Sequence, residues 1–308
     1  MAKIDLSNIS HSYNPNDANP TYALNPFSMT WENGKRYAIL GPSGCGKTTM
    51  LNIVSGLVKP SKGNILFDEK DVTNLITEER NIAQVFQFPV IYNTMTVYDN
   101  LAFPLKCRNF KKEKIEERVK SVSDTLRLSS FLNLPARKLT ADQKQLISLG
   151  RGLVREDVAG VLMDEPLTVI DPDLKFRLRR NLKEINEQYK TTLVYVTHDQ
   201  NEAMTFADNI IVMDQGEIVQ VGLPKDLFER PKTTFVGYFI GSPAMNIFES
   251  EVSSEYSVKI NNIEIKTNSN LSKLKDKNVK LGIRSEFINV VEKEGENTIK
   301  ASLTRVED

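Results

Sequence analysis

The sequence predicts an α/β protein organised around a doubly wound parallel sheet, with a smaller β-rich unit at its C-terminal end. Three observations carry this reading. The apolar run Tyr37-Ala38-Ile39-Leu40 ends in a glycine-rich stretch and is followed by the helix-like Thr49-Met50-Leu51-Asn52-Ile53-Val54. Two further apolar or β-branched runs, residues 160–163 and 191–197, each close on polar residues and flank a segment of helical periodicity. From about residue 245 the pattern changes to strict alternation.

Taken in chain order, the first run reads as strand, glycine loop and helix. Residues 88–158 interrupt the alternation with helical material, including the charged segment from Lys111 to Val119. Seven basic and three acidic residues lie between Lys106 and Lys120 without aromatic interleaving, which predicts a solvated helix face and not a nucleic-acid patch. Residues 160–163 and 191–197 are expected as buried parallel strands. Between them Asp171 can cap a helix with Pro172 at its first position, and Leu174, Leu178, Leu182 and Ile185 recur at spacings of four, four and three. Such a βαβ unit places ligands at the strand ends. Beyond residue 245, Val258 to Lys266 alternates around the turn-forming Asn261-Asn262, and Val279 to Arg284 resumes the alternation.

Composition bounds the partners. The 308 residues fit two domains at about 150 residues each. Forty basic and forty acidic residues cancel, so no global field draws the chain to nucleic acid or to an anionic membrane. Cys45 and Cys107 are the only cysteines and show no zinc spacing, which points to a reducing compartment, the cytoplasm by default. The N-terminal residues alternate apolar and charged, unlike a secretory signal, and no run approaches the roughly 20 apolar residues of a membrane span. Any membrane role is therefore expected to come through a partner.

Residues 41–49, Gly41-Pro42-Ser43-Gly44-Cys45-Gly46-Lys47-Thr48-Thr49, satisfy G-x-x-x-x-G-K-[ST]. The glycines let the backbone curl round a triphosphate and present N–H groups to it, Lys47 reaches the β and γ phosphates, and Thr48 ligates Mg²⁺. Cys45 reads as a small residue in a tight turn, since no base stands beside it in sequence. The strand at 160–163 delivers Asp164 toward the metal and Glu165 beside an attacking water.

These residues resemble the nucleotide-binding subunit of an ATP-binding cassette transporter, in the branch of importer ATPases for sugars and polyols. The resemblance implies a P-loop NTPase cassette over residues 1–244, with a RecA-like core and a helical subdomain at about 88–158. A partial OB-like regulatory domain is implied over 245–308. Val85-Phe86-Gln87 resembles the loop whose Gln couples the nucleotide site to the membrane subunits and ligates Mg²⁺. Leu167 to Asp171 resembles the D-loop, Val196-Thr197-His198-Asp199 the switch histidine, and Tyr13 the aromatic that stacks on adenine. Residues 93–101 and 235–243 are typical of the branch, and Leu281 to Glu286 of its regulatory domain. Taken alone, Tyr13 fits an edge-strand aromatic equally well, and a lone buried histidine such as His198 is more often plain core. The resemblance further implies ATP and Mg²⁺ as ligands, a second ATPase subunit, two membrane permease subunits and, indirectly, a solute-binding protein. The chain would then lie on the cytoplasmic face of the cell membrane. A soluble cassette acting on DNA or ribosomes is disfavoured by the neutral charge; an ATP-binding regulatory cassette with little turnover remains open.

Two departures stand out. The family's signature Leu-Ser-Gly-Gly-Gln corresponds here to Leu139-Thr140-Ala141-Asp142-Gln143, and Leu146 stands where Arg is usual. Asp142 either sets a negative charge against a partner's nucleotide or caps its own helix and turns away. The expected result is an asymmetric pair, one site competent and one weakened, most like the paired ATPases of glycerol or polyol importers. The sequence also ends at residues 301–308, short of the strands that resembling proteins carry, so the barrel is expected to be incomplete or closed by a neighbour.

Overall fold

The computed structural model describes residues 2–17, 19–274, 278–293, 295–302 and 304–305. The chain divides into two units, Met1–Pro224 and Lys225–Asp308. The first runs β1 (Ile4–Ser12), β2 (Tyr22–Trp31), β3 (Arg36–Leu40), α1 (Lys47–Ser55), β4 (Lys62–Phe67), β5 (Lys70–Asp71) and β6 (Ile82–Val85). It continues through α2 (Val97–Lys106), α3 (Lys112–Thr125), α4 (Ala141–Leu153), β7 (Gly160–Asp164), α5 (Pro172–Tyr189) and β8 (Leu193–Thr197). It ends with α6 (Gln200–Phe206), β9 (Asn209–Asp214) and β10 (Glu217–Gly222).

The central sheet has the order β10-β9-β3-β8-β7-β6. All its pairings are parallel except β10 on β9. Both faces are covered, which is why the strands read as continuous apolar runs. On β7 and β8, Val161, Met163, Leu193 and Tyr195 face one core with α2 to α5, while Leu162, Val194 and Val196 face a second core with α1 and the sheet β2-β1-β4-β5. Burying Met50, Leu51, Ile53 and Val54 contributes about 1.5–3 kcal/mol each and fixes α1 against the strands.

The helical periodicity expected between the strands is realised in α5, whose N-cap Asp171 accepts from the Asp173 N–H and which buries Leu178, Leu182 and Ile185. The mixed-charge segment is α3, and most of its ions are exposed pairs such as Lys112–Glu116 and Lys114–Glu117. Arg118 departs from the expected solvated face: it is buried, donates to the Leu153 and Val154 carbonyls at the end of α4, and lies 4.3 Å from the Tyr189 ring centroid. An orphan helix end satisfied by a cation outweighs exposure of that side chain.

Arg80 does the same for α1. Its guanidinium donates to the carbonyls of Ile53 (2.7 Å), Val54 (3.0 Å), Leu75 and Thr73, and Gly56, at φ 84°, leaves it room.

The second unit takes in α7 (Pro224–Glu229) at its boundary, α8 (Thr234–Phe239), β11 (Asn246–Ser254), β12 (Ser257–Ile260), β13 (Ile263–Lys266) and β14 (Asn278–Ile283). Its antiparallel sheet has the order β13-β12-β11-β14, with Asn261-Asn262 turning the β12–β13 hairpin. The unit starts at Lys225, earlier than the composition shift near 245. Arg284, which follows β14, donates to the carbonyls of Phe228 and Ile240 and so ties α7 and α8 to the β-rich segment. Of the terminal run expected to end the domain, Leu303 and residues 306–308 lie outside the described residues.

Replacing Arg80 with Ala should destabilise the nucleotide-free protein by about 2–3 kcal/mol, because four charge-assisted bonds to backbone carbonyls are lost and the Ile53 carbonyl at the end of α1 keeps the Gly56 N–H alone. Urea unfolding checks this; an unchanged midpoint would show that water caps α1 equally well.

Candidate functional site

Parallel pairing sends the C-terminal ends of β3, β6, β7 and β8 to one edge of the sheet. The sequence-predicted residues emerge there: the glycine loop after β3, Phe86-Gln87 after β6, Glu165 after β7 and His198 after β8. An open cavity of about 580 Å³ is lined by Tyr13, Ala23, Ser43, Gly44, Gly46, Lys47, Thr48, Thr49, Gln87, Glu165 and His198.

The loop is shaped by its glycines. Gly46 has φ 101°, and a Cβ there would lie 2.5 Å from the Ala23 carbonyl; Gly44 has φ 80° with open space where a side chain would point. The Lys47 ammonium donates to the Gly41 and Pro42 carbonyls at 2.8 Å each. Cys45 is buried, and desolvation pushes its thiol pKa up, so it packs the turn and is poorly suited to nucleophilic work. Tyr13 is 65% exposed, stands edge-on to His11 with centroids 4.6 Å apart, and has its hydroxyl 3.2 Å from Thr49 Oγ1.

Glu165 gathers the remaining groups. Its backbone lies at φ 44°, a left-handed geometry that costs about 1–3 kcal/mol for a non-glycine residue. The turn is held by Glu165 N–H donating to the Val196 carbonyl and by the Thr168 hydroxyl donating to the Glu165 carbonyl. Its carboxylate lies 3.2 Å from His198 Nδ1 and accepts from Gln87 Nε2 at 3.4 Å. Asp164, one residue earlier, is buried beside the Thr48 hydroxyl. Burial raises its pKa above the ordinary aspartate range; the Thr48 hydrogen bond pulls it down, the charge of Glu165 pushes it further up, and Lys47 opposes that.

Other predicted residues stand apart from this cavity. Thr140 is the N-cap of α4, where its N–H donates to the Gln143 side chain and its hydroxyl to the Asp142 carboxylate, with Ala141 the first helical residue. Asp171 caps α5. Gln145 escaped notice in the sequence because Gln in an amphipathic helix is ordinary. Its buried Nε2 donates to the Phe86 and Pro166 carbonyls, fastening the loop that carries Gln87 to the one that carries Glu165.

Comparison with known proteins agrees with this geometry. Residues 24–168 match the family model described as ABC transporter, and residues 241–288 match the MalK OB fold domain. The sn-glycerol-3-phosphate import ATP-binding protein UgpC of Psychromonas ingrahamii is 39% identical over 298 residues, covering 95% of this chain and 76% of that protein. The chain belongs to the ABC transporter family of ATP-binding cassette proteins. The trehalose/maltose import ATP-binding protein MalK of Thermococcus litoralis is 42% identical over 79% of this chain and 67% of its own length. The oligosaccharides import ATP-binding protein MsmX of Bacillus subtilis is 38% identical over 100% and 85%. Among solved structures, the ADP conformation of MJ1267, an ATP-binding cassette of an ABC transporter, superposes with TM-score 0.66 at 25% identity, covering 77% of this chain and 98% of that one. The fold is thus an ABC cassette with a C-terminal MalK-type OB domain, and the protein is a nucleotide-binding ATPase.

A carboxyl whose folded pKa lies above its unfolded value favours folding in its protonated form, so its contribution falls as pH rises through the folded pKa and is a net cost at neutral pH. Asp164→Asn should raise the melting temperature of the nucleotide-free protein at pH 7, and the gain should shrink as pH falls toward the ordinary aspartate range. Thermal scans across that range test it; a lower melting temperature at pH 7 would contradict the sign.

Proposed function

We propose that the chain is the ATP-hydrolysing subunit of a bacterial importer for a sugar or polyol, acting as one half of an asymmetric pair. The observation that carries the catalytic part is the meeting of Gln87, Glu165 and His198 at the mouth of the phosphate loop. In this reading the loop amides and Lys47 hold the β and γ phosphates while Tyr13 stacks on the adenine. Glu165 orients and takes a proton from the attacking water, and His198 and Gln87 hold that carboxylate and line the γ-phosphate.

The donors available suit Mg²⁺. The Thr48 hydroxyl, the Asp164 carboxylate and the Gln87 carbonyl are hard oxygen ligands, and Asp164 is buried beside the Thr48 hydroxyl. Among the described residues no three His, Cys, Asp or Glu form a metal cage, which fits an ion held jointly with substrate phosphates. When bound, the ion would neutralise charge on the transferring phosphoryl group.

Membrane subunits are supported as partners by the exposed Phe88, Val90 and Tyr92, next to a groove lined by Gln84, Phe86, Pro104, Ser148, Arg151 and Arg155. Among the described residues no helix is long and apolar enough to cross a membrane, so attachment to the cytoplasmic face would run through two permease subunits, with a solute-binding protein beyond them. The solute class rests on the import proteins to which the chain is similar.

Asymmetry is supported by α4. The Thr140 hydroxyl is spent on Asp142, which leaves a carboxylate at a helix start that in a symmetric pair would face the partner's γ-phosphate. Two unit charges about 4 Å apart repel by about 4 kcal/mol at an effective dielectric of 20, close to a thousandfold in closure. The same observation favours low turnover if the chain pairs with itself.

Glu165→Gln should lower kcat by about 10²–10⁴ with little change in KM for ATP; a wild-type rate would remove Glu165 from the chemistry. Adding a sister ATPase and the membrane subunits should raise hydrolysis well above that of the chain alone, and Asp142→Gly should raise the rate of the chain alone at least about tenfold. No gain from either would leave a symmetric pair or a regulatory cassette.

A further inference from the structure

Beneath the His198 turn lies a buried ionic cluster that the roles above do not use. Glu202, on α6, is 5% exposed. One carboxylate oxygen accepts from the Tyr195 hydroxyl at 2.9 Å and from the Thr197 hydroxyl at 2.8 Å, both on β8. The other lies 3.5 Å from Lys175 Nζ and 3.6 Å from an Arg179 guanidinium nitrogen, both on α5. Thr197 Oγ1 also accepts from the Asp199 N–H at 3.0 Å.

Thr197 and Asp199 are the two neighbours of His198, so one carboxylate, acting through one hydroxyl, grips the turn on both sides of the histidine. The other half of the same carboxylate faces the helix whose N-cap, Asp171, closes the loop leading from Glu165. His198 itself is largely exposed and meets Glu165 through a single 3.2 Å contact. Its own side chain is therefore a weak anchor, and the backbone beneath it sets where the imidazole stands.

We infer that Glu202 is a positioning residue for ATP hydrolysis, tying the His198 turn to α5 so that the imidazole keeps its place against Glu165. A displacement of α5 relative to β8 would then move His198 as well, which gives the two ends of the hydrolytic site a common mechanical link. The inference rests on the proposed role of His198. It does not depend on the solute or on asymmetry.

A net charge buried with two cations does more than fill space. Gln at position 202 would still accept from the hydroxyls but would lose its hold on Lys175 and Arg179. Val at position 197 would keep the strand's shape and lose the hydroxyl relay, whereas Ser would retain it.

The test uses the full-length protein in whichever preparation described above hydrolyses ATP. Glu202→Gln and Thr197→Val should each lower kcat by about ten- to a hundredfold, the loss expected from a misplaced group, while KM for ATP stays within about twofold. Thr197→Ser should retain the wild-type rate. Because Glu202 acts through His198, adding Glu202→Gln to His198→Ala should cost little more than His198→Ala alone. Wild-type kcat in both Glu202→Gln and Thr197→Val, a rise in KM that accounts for the loss, or full additivity with His198→Ala would overturn the inference. If His198→Ala itself turned over normally, the proposed role of His198 would fail and this inference with it. A slow His198→Ala beside wild-type kcat in both Glu202→Gln and Thr197→Val would sink this inference alone. Should Glu202→Gln fail to fold, Thr197→Val and Thr197→Ser decide the matter between them.

Discussion

Parallel pairing of β7 with β8 is the constraint on which the site rests. The register sets Asp164 opposite Val196, and the ladder runs one bond further, from the Glu165 N–H to the Val196 carbonyl. Glu165 and His198 leave adjacent strands at the same level, and that is why two residues 33 positions apart in the sequence come within 3.2 Å. An antiparallel pairing would put their strand ends on opposite edges. The register is in turn secured by burial on both faces, since a one-residue slip would exchange the two cores that Leu162, Met163, Val194 and Tyr195 serve.

Electrostatics then separate the roles of neighbouring acids. Asp164 is buried beside the Thr48 hydroxyl, and desolvation raises its pKa above the ordinary aspartate range. Glu165, one residue on, is turned outward by a left-handed backbone and held by Gln87 and His198 from two other loops and by Thr168 of its own turn. The adjacent carboxylates thus have different neighbours and different accessibility, as the separate roles proposed for them require. The cations that cap α1 and α4, Arg80 and Arg118, apply the same logic to the scaffold: each is buried because several carbonyls converge on it.

The first turn of α4 shows where family pattern and local physics meet. Asp at the second helical position is favourable for α4 itself, through the helix dipole and the Thr140 hydroxyl. The same substitution is unfavourable for an anion approaching that helix from outside. The cap expected of Asp142 is taken instead by Thr140, whose hydroxyl donates to Asp142 at the second helical position.

The sequence by itself determined the α/β class, the phosphate loop, the α5 stripe and the β12–β13 hairpin, because each depends on a local spacing or on a few contiguous residues. Glycines at 41, 44 and 46, Lys47, and the Asp164-Glu165 pair at a strand end were legible for the same reason. Only the tertiary structure decided which carbonyls Arg80, Arg118, Gln145 and Arg284 would reach, where the second unit begins, and that Glu202 bridges β8 to α5. These are meetings between different elements of the fold, and the amino acids that make them are common ones in common settings. Periodicity records which face of a helix or strand is buried, but it does not record which distant polar group waits there.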